Sequence, residues 1–437
     1  MQAMDALIFS TGWRSPPSRT LTDHWTQYAV PLLLSMFSVE LGGRRFFGTL
    51  AFLPDMLART SESSALLLCA HAVSFAFLAH KAATWESAAV RDQAYGHALA
   101  ATNALVGDST LRLEDETSVC VWLLSLYEVI RLRRSCSAYA NKWKVIFGSN
   151  PSTLGPGAVT VHAHGLLNLL RLRGPDQLQT EAGRGIFWLL ATSTQIMSLI
   201  SGTRYPAFTQ TWLDDFRSTN PDCDTYLFQL NIFAGRATSV AAQARQSQQP
   251  QGPMSDLPSV TELWTQVQAL ETELNLALQE QRVEEPINLQ KLFLNNQYRA
   301  YYVRTLQIVQ DSVRSNDIKG NDISYYNKIS TILGQISTGI QSSTDAILEN
   351  VFCILGPTSG MSLPATSDFS TGWTLERPVC WADVFRLVWP LRTVILRSSI
   401  LSELQLQNVQ SALQYIGTKY CLRTAVAPYP SEYPDLG

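Results

Sequence analysis

Apolar side chains recur at helical spacing along most of this chain, and the strict alternation that marks a half-buried strand is almost absent. Val121, Leu124, Leu126, Tyr127 and Ile130 crowd a segment that is apolar on most sides, and such a helix belongs in the middle of a bundle. Leu263, Val267, Leu270, Leu274, Ala277 and Leu278 make one stripe, and Tyr298, Tyr301, Tyr302, Leu306, Val309 and Val313 make another. A third helix runs from about Tyr325 to Leu355, with Ile329, Leu333, Ile336 and Ile340 on one side, although Gly334 and Gly339 weaken its helical preference. The expected class is all-α, a bundle-like array of many helices without a β-sheet of consequence.

Hydrophobic residues make up 46% of the 437, and charged residues only 16%, against a usual charged share of about 25%. A chain this apolar either has an extensive interior or presents apolar surface to a partner or ligand. The net charge of −3 argues against a phosphate-binding face. The best basic run, Arg131-Leu132-Arg133-Arg134, closes an apolar helix, where cations suit the C-terminal end of the dipole. Seven cysteines are scattered without a C-x-x-C pair, which fits reduced thiols in an intracellular protein, nuclear or cytoplasmic. No secretory leader is apparent. The most apolar stretch, Ala65 to Ala79, is shorter than the roughly 20 residues that cross a bilayer, so no membrane span is expected.

One break in composition divides the chain. From Ala244 to Pro253 it is rich in Gln, Pro and Gly, with nothing to bury. The expected organisation is a helical half over 1–243, a loop over 244–257 and a second helical half over 258–437. That second half restarts on a capping box, Ser259-Val260-Thr261-Glu262. Gly174-Pro175 ends the preceding half's helix around Leu170, and Pro390 interrupts an apolar stretch over 384–396.

Several strings, in order, carry a family likeness. They are His24-Trp25-Thr26-Gln27-Tyr28, Ala94-Tyr95-Gly96-His97-Ala98-Leu99, Asp115-Glu116-Thr117 with Val121 to Glu128, His162 to Gly174, and Trp389-Pro390-Leu391. Together they resemble the regulatory region that follows the zinc cluster in fungal zinc-cluster transcription factors. His162, Gly165, Arg173 and Gly174 match that family's His-x-x-Gly and Arg-Gly positions. The resemblance implies a helical domain that senses a metabolite or partner and controls activation. It does not extend to DNA reading, because the six closely spaced cysteines of the cluster have no counterpart here.

Candidate chemistry is sparse. His162-x-His164 suggests a metal, but residues two apart on a helix point about 200° apart and no third ligand follows; no metal and no cofactor are expected. Asp214-Asp215 suggests a magnesium-binding acidic pair, but Ser218 stands where a further acid is needed and Asn321-Asp322-Ile323-Ser324 matches a partner element poorly. Neither Gly-x-Ser-x-Gly nor a phosphate-cradling Gly-Lys-Thr loop occurs. Aromatic residues are the remaining signal. Trp143, Tyr205, Tyr301, Tyr302 and Trp389, with Arg204, are candidate ligand-binding residues, and Phe187, Trp188 and Trp212 are further pocket-lining candidates. His164 and Asp214 are the candidate catalytic groups, His164 because it shares a helical face with Asn168 and Arg171.

The leading expectation is a transcription-factor-like regulatory protein that acts through a hydrophobic small molecule or a protein partner, with a homodimer among the allowed assemblies. The alternative is a cofactor-free enzyme of secondary metabolism, a cyclase or pericyclase type, on the same helical scaffold. Such catalysis needs shape, a hydrogen-bond donor and one acid or base, and so leaves no sequence motif.

Overall fold

The computed structural model describes residues 21–41, 44–46, 50–61, 63–82, 85–131, 158–201, 203–220, 225–248, 259–282, 289–317, 323–356, 359–361, 379–420, 422 and 425. These residues are all-α apart from one small hairpin, in which Val39–Leu41 (β1) pairs antiparallel with Arg44–Phe46 (β2). The chain divides into two compact units. The first is 1–131 with 375–382, and the second is 132–374 with 383–437.

In the first unit the helices are α1 (Leu21–Phe37), α2 (Leu53–Ala58), α3 (Ala65–Ala82), α4 (Trp85–Gly107) and α5 (Asp115–Arg131). Helix α3 lies in the middle, packed on α1, α4 and α5. Its sequence explains this, since Leu66, Ala70, Ala72, Val73, Ala76 and Ala79 are buried on more than one face and the alanines let neighbouring backbones come close. Polar pins fix the packing. Leu66 N–H, one of the unpaired donors at the start of α3, donates to Glu116 Oε1 on α5 at 3.2 Å. Ser74 Oγ donates to the Ala29 carbonyl on α1 at 2.6 Å. Val121, Leu124 and Leu126 of α5 are buried, as their periodicity requires. Tyr95 of α4 stacks on Tyr127 of α5, rings 4.2 Å apart and 9° from parallel.

The second unit contains α6 (Ala158–Arg173), α7 (Glu181–Ser201), α8 (Ala207–Thr219), α9 (Thr225–Gln246), α10 (Val260–Arg282), α11 (Leu289–Asp317), α12 (Ile323–Leu355), α13 (Trp381–Ile395) and α14 (Glu403–Lys419); the first two residues of α13 count with the first unit. Helix α11 is its axis, packed on α7, α9, α10 and α12. Tyr298, Tyr301, Tyr302, Leu306, Val309 and Val313 are all buried on it, and so are the polar Thr305, Gln307, Gln310 and Ser312. Gln307 Nε2 donates to the Thr393 carbonyl at 2.8 Å, Tyr301 meets Trp389, and Arg397 pairs with Asp311. These partners advance together along both segments, so α13 and its C-terminal extension run in the same direction as α11. Pro390 sits inside α13 without ending it.

Two boundaries differ from the compositional expectation. Helix α9 continues through Gln246, with Ala244 fully buried, so the Gln-rich segment begins inside a helix; 249–258 lie outside the described residues. Helices α9 and α10, on either side of that segment, belong to the same unit and pack together. Arg236 Nη1 pairs with Glu273 Oε2 at 2.9 Å and Gln266 Nε2 donates to Gln243 Oε1 at 3.1 Å. The capping box at Ser259 is formed, with Glu262 N–H donating to Ser259 Oγ at 3.2 Å and Ser259 N–H donating to Glu262 Oε2 at 2.7 Å.

Candidate functional site

Three residues singled out from the sequence lie buried in the second unit. Tyr301 projects from the middle of α11, where it is fully buried. Trp389 packs against it from α13, ring centroids 4.8 Å apart and 61° inclined, an edge-to-face contact. Tyr205 comes from the short non-helical connection over 203–206 between α7 and α8, and is buried although its neighbours Thr203 and Arg204 are exposed. The two phenols are near enough that ionising Tyr205 would oppose ionising Tyr301.

The hydroxyls of the two phenols differ. Tyr301 Oη has no hydrogen-bond partner within the protein, whereas the hydroxyls of Thr194 and Thr209 stand beside Tyr205 Oη as acceptors. Both threonine hydroxyls donate their own protons elsewhere and keep lone pairs that can accept from the Tyr205 O–H. Thr194 Oγ1 donates to the Leu190 and Ala191 carbonyls at 2.8 and 3.0 Å, and Thr209 Oγ1 to the Pro206 carbonyl at 2.7 Å. Burial pushes the Tyr205 phenol up to about 12, and the nearby threonine hydroxyls limit the rise. Burial, followed by the Tyr205 charge, holds Tyr301 well above the ordinary phenol range. Both are therefore neutral O–H donors at any physiological pH, enclosed where a hydrogen bond to an incoming oxygen would be strong. Chemically, Tyr301 offers a neutral hydroxyl donor beside the Trp389 indole.

The other sequence candidates stand apart from this cluster. Tyr302, 100° round α11, is buried toward Gly339 of α12, and burial followed by the charge of Glu271 holds its phenol well above the ordinary range. His164 is exposed on α6, and the face it shares with Asn168 and Arg171 is exposed too, so that polar face is a solvated one. Asp214 and Asp215 are exposed on α8, where Gln210 Nε2 donates to Asp214 Oδ1 at 3.2 Å. Arg204 is exposed. Phe187 and Trp188 belong to an aromatic core in which Trp188 meets Phe228 at 4.8 Å and Phe216 stacks on Phe228 at 5.3 Å. Trp212 pairs with Phe208 at 4.6 Å. Trp143, the side chain of His162, Asn321 and Asp322 lie outside the described residues.

Two features were not anticipated from the sequence. A groove of about 310 Å³ opens between α12 and α14, lined by Gln341, Asp345, Leu348, Glu349, Leu404 and Asn408 among others. Its polar groups tie the helices together: Gln405 Nε2 donates to Asp345 Oδ1 at 2.7 Å and to the Gln341 carbonyl at 3.0 Å, and Gln341 Nε2 donates to the Ile400 carbonyl at 2.7 Å. The repeated acid at 345 and 349 and the capping pair Ser402/Gln405 were the signals present in the sequence. In the first unit, Cys69 of α3 lies 3.4 Å from Thr102 Oγ1 of α4 and beside Cys120 of α5. A hydrogen bond with Cys69, then burial, drives the Cys120 thiol far above its usual range, which makes it a poor nucleophile. Cys69, Cys120 and Cys353 are free thiols; Cys136, Cys223 and Cys421 lie outside the described residues. Among the described residues no three His, Cys, Asp or Glu side chains converge as metal ligands, and no helix is long and apolar enough to cross a membrane. Comparisons with protein-family models, with curated proteins and with solved structures returned no match.

Proposed function

We propose that this chain is a regulatory protein of the kind that follows the zinc cluster in fungal transcription factors, acting through a hydrophobic small molecule or a protein partner. The observation that supports this reading is the contact between two of the resembling strings. Tyr95, from the string over 94–99, stacks on Tyr127, from the string over 121–128, and Tyr127 Oη donates to Asp92 at 3.2 Å. Strings that resemble one family in order are thereby joined in one packing unit, in an all-α setting. The test is to tether the full chain to a reporter promoter through an unrelated DNA-binding domain. Transcription should change relative to the tether alone. An expressed, folded fusion with no effect under any growth condition would sink the reading.

A second reading is favoured by Tyr301, whose neutral hydroxyl stands beside the Trp389 indole. Such a donor could hold a developing enolate or a carbonyl during a cofactor-free cyclisation or isomerisation. Incubating the protein with extracts of the host's secondary metabolites, followed by mass spectrometry, separates a converted species from one that is only bound.

A further inference from the structure

We propose that the groove between α12 and α14 binds a short aliphatic diamine, its chain along Leu348 and Leu404 and its ammonium groups at Asp345 and Glu349. This goes beyond the regulatory reading and does not rest on it. The groove encloses about 310 Å³, a size at the small end of the range for small-molecule sites. No Lys, Arg or His lines it. Its α14 wall is set before anything binds: Gln405 and Asn408 are only 5% and 3% exposed, and Gln405 Nε2 is held by Asp345 Oδ1 at 2.7 Å and the Gln341 carbonyl at 3.0 Å. A wall held in this way loses little freedom when a guest enters. Asp345 is exposed, and among the described residues it has no ion pair; its bond to the neutral Gln405 amide leaves the carboxylate charge unbalanced. Glu349 stands one turn further along α12, and Leu348 shares that face. Leu404 faces them from α14 and is 41% exposed, an uncovered apolar surface. The lining therefore alternates acid, apolar, acid, and helix positions four apart stand about 6 Å from each other. A diamine on a four-carbon chain repeats that order at that spacing. The start of α14 does not turn the groove toward anions. Its capping box engages Ser402 and Gln405 with each other, and two carboxylates outweigh the roughly half positive charge of a helix N-terminus. Two carboxylates are also too few to hold a bare metal ion, and no third ligand converges on them among the described residues.

The experiment titrates the full chain with 1,4-diaminobutane by isothermal calorimetry at neutral pH and low salt. Butylamine and 1,4-butanediol serve as matches of the same chain carrying one charge and none. The expected result is saturable binding of one diamine per chain, butylamine weaker by about fivefold, and no binding of the diol. Added salt should weaken the diamine, because the ammonium groups meet partly exposed carboxylates. Asp345→Asn keeps an oxygen that accepts from Gln405, and it and Glu349→Gln should each weaken the diamine by about threefold to fivefold, the size of one exposed ion pair. The double variant should weaken it by about tenfold or more. Leu404→Trp fills the groove from an exposed position and should abolish binding while leaving Tm unchanged. Equal binding of diamine and diol, no saturable binding by the folded wild type, or full diamine affinity in the folded double variant would each overturn the proposal. If the acid variants do not fold, Leu404→Trp decides, and diamine binding retained there overturns the proposal as well.

Discussion

Raising the pH puts the Tyr205 environment to a quantitative test. Its phenol titrates near 12 in the folded chain against 10 when solvated. Below pH 10 it is neutral in both states and contributes no pH dependence. Between pH 10 and 12 the unfolded chain loses the proton while the folded chain keeps it, so the unfolded state binds fewer protons and stability falls as pH rises. Two units correspond to about 2.7 kcal/mol once pH passes 12, and to about 1.4 kcal/mol at pH 11. Other phenols and lysines titrate over the same range, so the measurement is a difference. Urea midpoints of wild type and Tyr205→Phe are compared at pH 8 and pH 11, with Tyr301 present in both. The variant should gain about 1.4 kcal/mol relative to wild type between those pH values. Absorbance at 295 nm should also show one fewer late-ionising tyrosine in the variant. Parallel stability curves for the two proteins from pH 8 to 11 would refute the placing of this hydroxyl in a dry, enclosed position.

Further expectations concern the scaffold. Leu124→Ala in α5 removes a side chain only 2% exposed and should cost about 2–5 kcal/mol in denaturant titration; an unchanged midpoint would remove α5 from the core. Gly183→Ala should destabilise by about 1–3 kcal/mol, because a Cβ there would fall on the Gln177 carbonyl oxygen and the overpacking outweighs the roughly 1 kcal/mol helix preference for alanine; thermal melting checks the sign. Ser402→Ala loses the hydroxyl that accepts from Gln405 N–H at 3.2 Å and should lower stability by about 1 kcal/mol, with amide exchange quickening first at the start of α14. The purified chain should give no sequence-specific gel shift at physiological salt, as its net charge of −3 implies.

Local pattern identified what local chemistry controls. The stripe on α11, the capping box at Ser259 and the apolar crowd on α5 were all readable, because helical periodicity states which faces leave water. It does not state which helix receives a face. The meeting of Tyr301 with Trp389 joins residues on helices far apart in the chain, and nothing within one turn of either announces it. The same limit explains the solvated His164 and Asp214. Each has the right chemistry at a helical position, and only the packing of α6 and α8 decides that those faces look outward. Composition misplaced the end of α9 for a related reason: Ala244 and its polar neighbours look like loop residues, yet the buried face of α9 carries the helix through Gln246.

The interior of the second unit separates structural polarity from available polarity. Thr305, Gln307 and Ser312 are as deeply buried as the phenols, but each makes a hydrogen bond that holds α11 in register with a neighbour, Thr305 through the Ala237 carbonyl of α9 at 3.3 Å. A buried polar group satisfied in that way costs little and fixes the packing. A hydroxyl buried without a partner costs about 1–3 kcal/mol, and phenylalanine would fill the same volume without that cost. Phe293, earlier on α11, shows that the helix accommodates a plain phenyl ring in the core. Packing therefore accounts for the aromatic ring at 301 but not for its hydroxyl. Tyr301 carries such a hydroxyl beside Trp389, while His164, Arg204 and Asp214 face solvent. That contrast places the candidate chemistry of this chain inside its second unit.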